Sequence, residues 1–169
     1  MKYSKFTLLN YKGIPKIELD LNKTPQSNIF TLVGLNESGK TSLLEGIYLF
    51  YSDISKAEAY TLIPKSRQYS FSDHISIIAE LEIESKDYEE IKRLLEDKYK
   101  YYLAGDIPKI EITKKYNFNK STPLEDDNWK QILYNLPFEG MTKKSKKIAR
   151  LHEWKNEAWQ EVSDLIRKK

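Results

Sequence analysis

The chain has 169 residues, 28 Lys or Arg against 25 Asp or Glu, and a formal net charge of +3, a balance that permits nucleic-acid contact without implying it. At 40% hydrophobic residues it is long enough to bury a core; its mean hydropathy of −0.65, with no apolar run near the roughly 18 residues of a membrane span, excludes a helical membrane protein. The absence of cysteine and the presence of only two histidines, His74 and His152, exclude disulfides, zinc–thiolate centres, cysteine nucleophiles and histidine-rich metal sites.

The N-terminal residues Met1–Phe6 contain no apolar h-region, so no secretory signal is expected and a cytoplasmic address follows. Residues 2–9 (KYSKFTLL) predict a strand with Tyr3, Phe6 and Leu8 as bulky positions. Asn10-Tyr11-Lys12-Gly13 interrupts it. Residues 16–21 (KIELDL) alternate strictly and predict a second, half-exposed strand, antiparallel to the first. Asn22–Asn28 reads as a loop. Residues 29–33 (IFTLV) form a continuous apolar run, which predicts a strand covered on both faces.

From Lys40 to Tyr51 the pattern becomes helical, with Leu43, Leu44, Ile47, Tyr48 and Phe50 on the expected buried side. Gly46 lies inside that helix at a cost of roughly 1 kcal/mol against Ala, which close packing would explain. Residues 52–73 are polar and irregular. Residues 75–84 predict a strand, Ser85 an N-cap, and residues 86–102 an amphipathic helix with Asp87, Glu89 and Glu90 in its first turn. Residues 109–118 alternate again, with Ile110, Ile112, Tyr116 and Phe118 inward, and residues 125–134 predict a short helix. The tail from Thr142 to Lys169 reads as one long helix with Ile148, Leu151, Ala158, Val162 and Leu165 as its apolar stripe.

One motif carries chemistry. Gly34-Leu35-Asn36-Glu37-Ser38-Gly39-Lys40-Thr41 fits the P-loop pattern G-x-x-x-x-G-K-[ST], between a predicted strand and a predicted helix. The glycines let successive backbone N–H groups converge on a β-phosphate, and the helix N-terminus adds its positive end. Lys40 is placed to reach the β- and γ-phosphates, the Thr41 hydroxyl to coordinate Mg²⁺, and Ser42 to touch the α-phosphate side. The bland alternative is a glycine-containing strand–helix turn that binds nothing.

Asn10-Tyr11-Lys12-Gly13, the alternating strand after it, and IFTLVGLNESGKTSLLEGI together resemble the start of the SMC/RecF/OLD group of ABC-type ATPases, and are most similar to OLD-like members. The specific match covers residues 1–50, with a looser likeness over 75–118. The resemblance implies an α/β fold of P-loop NTPase type. It would be the N-terminal part of an ABC-type head, with an antiparallel β segment and a long C-terminal helix. It implies that Lys12 touches nucleotide phosphate or ribose, against the plain reading of a solvated turn lysine. Asn36 and Ser38 would line the phosphate loop, and Glu37 would face solvent or a partner head. Gln68, the only glutamine between the P-loop helix and the next strand, would be a Q-loop-like Mg²⁺ ligand, with Asp73 and His74 as nearby polar alternatives. The cofactors implied are ATP and Mg²⁺.

Such heads complete catalysis with a Walker B strand and a Ser-Gly signature from a second head, and neither is visible in this sequence. The nearest decoy, Ile77–Glu82, alternates like an ordinary half-buried strand with Glu80 and Glu82 outward. The expectation is therefore a partial head over 1–135. A linker and basic amphipathic helix over 136–169 would start an inserted arm. By resemblance, its partners would be a second head, the missing C-terminal lobe, DNA, and a nuclease domain or effector serving repair or anti-phage defence. Between residues 139 and 169 nine Lys or Arg face five acids, with Trp154 and Trp159 among them and Trp129 just before. This composition suits nucleic acid through Lys143–Lys147, but more simply a solvated amphipathic helix that packs its stripe on a missing lobe. Two other readings stand beside the half-enzyme: a self-contained nucleotide-sensing module, and a DNA-binding accessory protein with a vestigial P-loop.

Overall fold

The computed structural model describes residues 2–22, 30–35, 38–99, 109–125 and 128–135. The C-terminal helix expected over 142–169, with Lys143–Lys147, His152, Trp154 and Trp159, lies outside the described residues. Two compact units are formed: a larger one of Tyr3–Glu80 with Glu111–Leu133, and a smaller one that holds Leu81–Ile110. Among the described residues no helix is long and apolar enough to cross a membrane.

The fold is organised by a six-stranded sheet. Its strands are β1 (Lys2–Tyr11), β2 (Ile14–Asp20), β3 (His74–Glu82), β4 (Lys109–Asn119), β5 (Thr122–Pro123) and β6 (Lys130–Asn135). They run in the order β2-β1-β3-β4-β5, with β6 pairing β4. The expected hairpin is present: β1 and β2 are antiparallel, Leu8 opposite Ile17 and Tyr11 opposite Ile14. Only Lys12 and Gly13 connect them, at φ 48° and 95°. Positive φ at both central residues is the type I′ combination, whose twist matches the flanking strands.

The helix α1 (Lys40–Tyr51) forms where the 3.6-residue pattern begins. Its buried face is Leu43, Gly46 and Leu49, whereas Leu44 and Tyr48, expected inward, are 58% and 72% exposed. Gly46 sets this phase. A Cβ there would lie 2.7 Å from Leu8 Cδ2 and 2.8 Å from Leu8 Cδ1, so the bare backbone lets α1 approach β1 closely. That is the close packing which explains a helix-interior glycine. The core around it joins Leu8, Tyr11, Leu62, Phe71, Ile75, Ile77, Tyr116 and Trp129.

Two other expectations are corrected. Residues 30–35 belong to no strand; Val33 and Leu35 are 91% and 85% exposed, and Leu32 packs against the core. An apolar run becomes a strand only where neighbours pair its backbone, and no such ladder forms on this segment among the described residues. Where a helix is expected over 125–134, residues 130–135 form β6, and just before it Trp129 O accepts from Asn117 N of β4 at 2.9 Å. Pairing with β4 overrides a periodicity too short to discriminate. Trp129 consequently sits in the core, 4.9 Å from the Tyr116 ring, and is not an exposed base-stacking residue.

In the smaller unit, α2 runs over Ser85–Tyr99 with Asp87 in its first turn. Tyr88 N donates to Glu84 O at 2.9 Å, so the helix starts one residue earlier than an N-cap at Ser85 requires. Ile91 and Asp87 are buried.

Candidate functional site: a phosphate loop and the hairpin turn beside it

Gly39 stands at φ 85°, a left-handed conformation that disfavours any residue with a side chain, and leads directly into α1. The first helical bond, Leu43 N to Gly39 O at 2.9 Å, leaves the amides of the first turn without helical acceptors. No acidic residue occupies that turn. The positive end of the helix dipole is therefore uncompensated by the helix itself. The opposite end is served from outside. Lys114, buried on β4, donates to Leu49 O at 2.9 Å and to Ser52 O, and lies 3.0 Å from Asp53 Oδ1. Asp53 also pairs with Lys130 at 3.1 Å. These hydrogen bonds and charges, Lys114 first, hold the Asp53 carboxyl below the ordinary aspartate value.

The Lys40 ammonium folds over the loop, donating to Gly34 O at 2.6 Å, Leu35 O at 2.5 Å and Ser38 Oγ at 3.1 Å. A side chain at Gly34 would meet Ser38 Oγ at 2.8 Å, so this glycine keeps the loop narrow. Ser38, Gly39, Lys40, Thr41 and Ser42 line a cavity of about 450 Å³ with Lys12, Gly13 and Ile14. Asn36 and Glu37 lie outside the described residues. The donors here suit an anion of phosphate type: a lysine, hydroxyls and first-turn amides around an open volume.

The hairpin turn enters the same wall. Lys12 N donates to Leu62 O at 3.0 Å, and its ammonium lies 2.6 Å from Glu45 Oε2 on α1. Partial burial opposes the Lys12 charge, but the Glu45 hydrogen bond and the charges of Tyr11 and Glu45 outweigh it and raise the lysine above its ordinary value. Tyr11 beneath it is buried, and desolvation lifts its hydroxyl despite Lys12. Asn10, at φ 57°, fastens the turn to β3 by donating to Asp73 Oδ2 at 3.2 Å and to His74 O at 3.0 Å. The Asn-aromatic-basic-Gly run is thus a mechanical unit: an anchor, a core ring and a lysine held over α1.

A second cavity of about 770 Å³ shares Lys12, Gly13 and Ser42 with the first and is bounded by Glu45, Tyr60, Thr61, Ile63 and Gln68. The two magnesium candidates of the sequence therefore face different, adjoining cavities: Thr41 the first, Gln68 the second. Asp73 is engaged with Asn10 and with His74, whose Nδ1 is 3.0 Å away. Glu80 accepts from Ser4 Oγ at 3.0 Å and lines a separate cavity of about 280 Å³ on the sheet face, not either of those beside the P-loop. Among the described residues no group of three or more His, Asp or Glu side chains could hold a metal by itself.

Sequence reasoning missed Lys114 and Glu45. Lys114 had a signal, since it falls on the inward positions of the alternating run 110, 112, 114, 116 and 118. Glu45 had none, because its partner is 33 residues away.

The family model described as AAA ATPase domain matches residues 1–169. No curated protein matches. One similar solved structure comes from work on the structural biochemistry of ATP-driven dimerization and DNA-stimulated activation of SMC ATPases. It is 16% identical with a TM-score of 0.46, over 90% of this chain and 78% of that one.

Proposed function

As the chain belongs to the AAA ATPase domain family, we propose that it binds Mg-ATP as the N-terminal lobe of an OLD-like, SMC-type ATPase head. The observation that carries this reading is the 450 Å³ cavity in which Lys40, Ser38, Thr41, Ser42 and the first-turn amides of α1 converge with Lys12 of the hairpin turn. On this reading Gly34, Asn36, Glu37, Ser38 and Gly39 form the phosphate loop. Lys40 leaves the carbonyl oxygens of Gly34 and Leu35 for the β- and γ-phosphates. Thr41 takes Mg²⁺, whose other ligands would be phosphate oxygens, water and Gln68 if its loop moves inward. The adjoining cavity has the room and the mixed apolar and polar wall that a nucleoside needs.

Hydrolysis on this reading belongs to a complete head, which supplies a metal-binding carboxylate, a water-orienting carboxylate and a signature loop from a second head. Exposed Val33, Leu35, Leu44 and Tyr48, all near the P-loop in sequence, support a further lobe packing there. ATP-driven pairing of two heads would then gate DNA processing through a nuclease domain or effector, in repair or in anti-phage defence.

The test is calorimetric titration of the whole chain with Mg-ATP, with Lys40→Ala as the comparison and turnover recorded in the same samples. Binding that disappears in Lys40→Ala at an unchanged melting temperature, without turnover, is expected. Equal binding by both chains overturns the reading. Turnover above the Lys40→Ala blank would show a self-sufficient enzyme instead of a lobe. Salt-dependent DNA binding indifferent to Lys40 would favour the accessory-protein alternative.

A further inference from the structure

Lys12 occupies a conformation that costs a non-glycine residue about 1–2 kcal/mol, φ 48° at a two-residue turn. Its ion pair with Glu45 does not explain that cost. The two side chains are 30% and 47% exposed, and exposed pairs contribute about 0–1 kcal/mol. The pair has another consequence, which is electrostatic. Both residues stand on the wall of the 770 Å³ cavity, beside Gly13 and Ser42, which also line the phosphate cavity. With Glu45 Oε2 at 2.6 Å, Lys12 presents one end of a dipole to an incoming anion rather than a full positive charge.

We infer that Glu45 sets the affinity of this site by competing with the phosphates of the nucleotide for Lys12; the inference rests on the nucleotide reading of the cavity. A phosphate that takes Lys12 displaces the Glu45 carboxylate, which then remains nearby as a like charge. Binding is weakened twice over, by the lost ion pair and by the repulsion. The carboxylate is thereby a built-in brake on phosphate binding, supplied by the P-loop helix itself.

The experiment measures Mg-ATP affinity by calorimetry for the unsubstituted chain, Glu45→Gln, Glu45→Ala, Lys12→Met and Lys12→Met with Glu45→Gln, each at low and high salt. Glu45→Gln and Glu45→Ala are expected to bind about fivefold more tightly. The gain should vanish in the Lys12→Met background and shrink at high salt. If the unsubstituted chain binds ATP and both Glu45 variants bind equally or more weakly, the inference is wrong and the nucleotide reading stands. A gain that persists without Lys12 also overturns it, since that would be a general charge effect. Binding by the Glu45 variants alone supports it. If no chain binds, the nucleotide reading fails and takes the inference with it.

Discussion

Lys114 donates to the carbonyl oxygen of Leu49 at 2.9 Å, so a buried ammonium from β4 closes the C-terminal end of the helix whose N-terminal end carries Lys40. The helix has no basic residue in its own last turn. A strand therefore supplies the charge that the dipole of α1 calls for at that end. Lys114→Met leaves Leu49 O and Ser52 O without this donor and should lower stability by about 2–3 kcal/mol, read as a shift of the urea midpoint.

Asp53 adds a pH dependence with a definite sign. Its folded-state carboxyl is held below the ordinary value of 3.8, chiefly by Lys114. That stabilisation is complete above the unfolded value and is lost as pH falls through the lower folded one. Asp53→Asn should therefore be less stable than the unsubstituted chain at about pH 7, with the gap closing as pH falls below the ordinary aspartate range. The gap should be small, because the Asp53 side chain is 68% exposed. Urea unfolding of both proteins across that range tests it, and a gap that widens in acid would contradict the assignment.

Gly46→Ala sets helix propensity against packing. The new methyl gains roughly 1 kcal/mol of propensity but lies 2.7 Å from Leu8 Cδ2 in a filled core. Overpacking of this kind costs about 1–3 kcal/mol, so a net loss is expected. Leu8→Ala in the same chain makes room, so the two losses should be less than additive in a double-mutant cycle read by thermal melting.

The readable parts of the sequence were those in which one local rule decides. Strict alternation placed β2, β3 and β4, and the glycines of the P-loop placed the start of α1. The likeness read from residues 1–50 agrees with the AAA ATPase domain match over the whole chain. Elsewhere a distant contact decided. The face of α1 turned on Gly46 meeting Leu8, so Leu44 and Tyr48 point outward although their spacing fits a buried stripe. β6 depended on β4, and Trp129 on the Tyr116 and Phe118 rings. Residues 30–33 carry a strand's composition, yet no strand pairs with them among the described residues. The Lys12–Glu45 pair joins a turn to a helix with no repeat or motif to announce it.

The hairpin turn constrains how this protein can drift. Lys12 and Gly13 are the whole connection between β1 and β2, so one inserted residue there would slip the register and exchange the two faces of β2. Ile17, partly buried against the core, would change places with its charged neighbours. The cation over α1 and the packing of an edge strand are thus written in the same two positions. Insertions and deletions that leave the sheet intact must fall elsewhere, and the lysine can change its chemistry only by substitution.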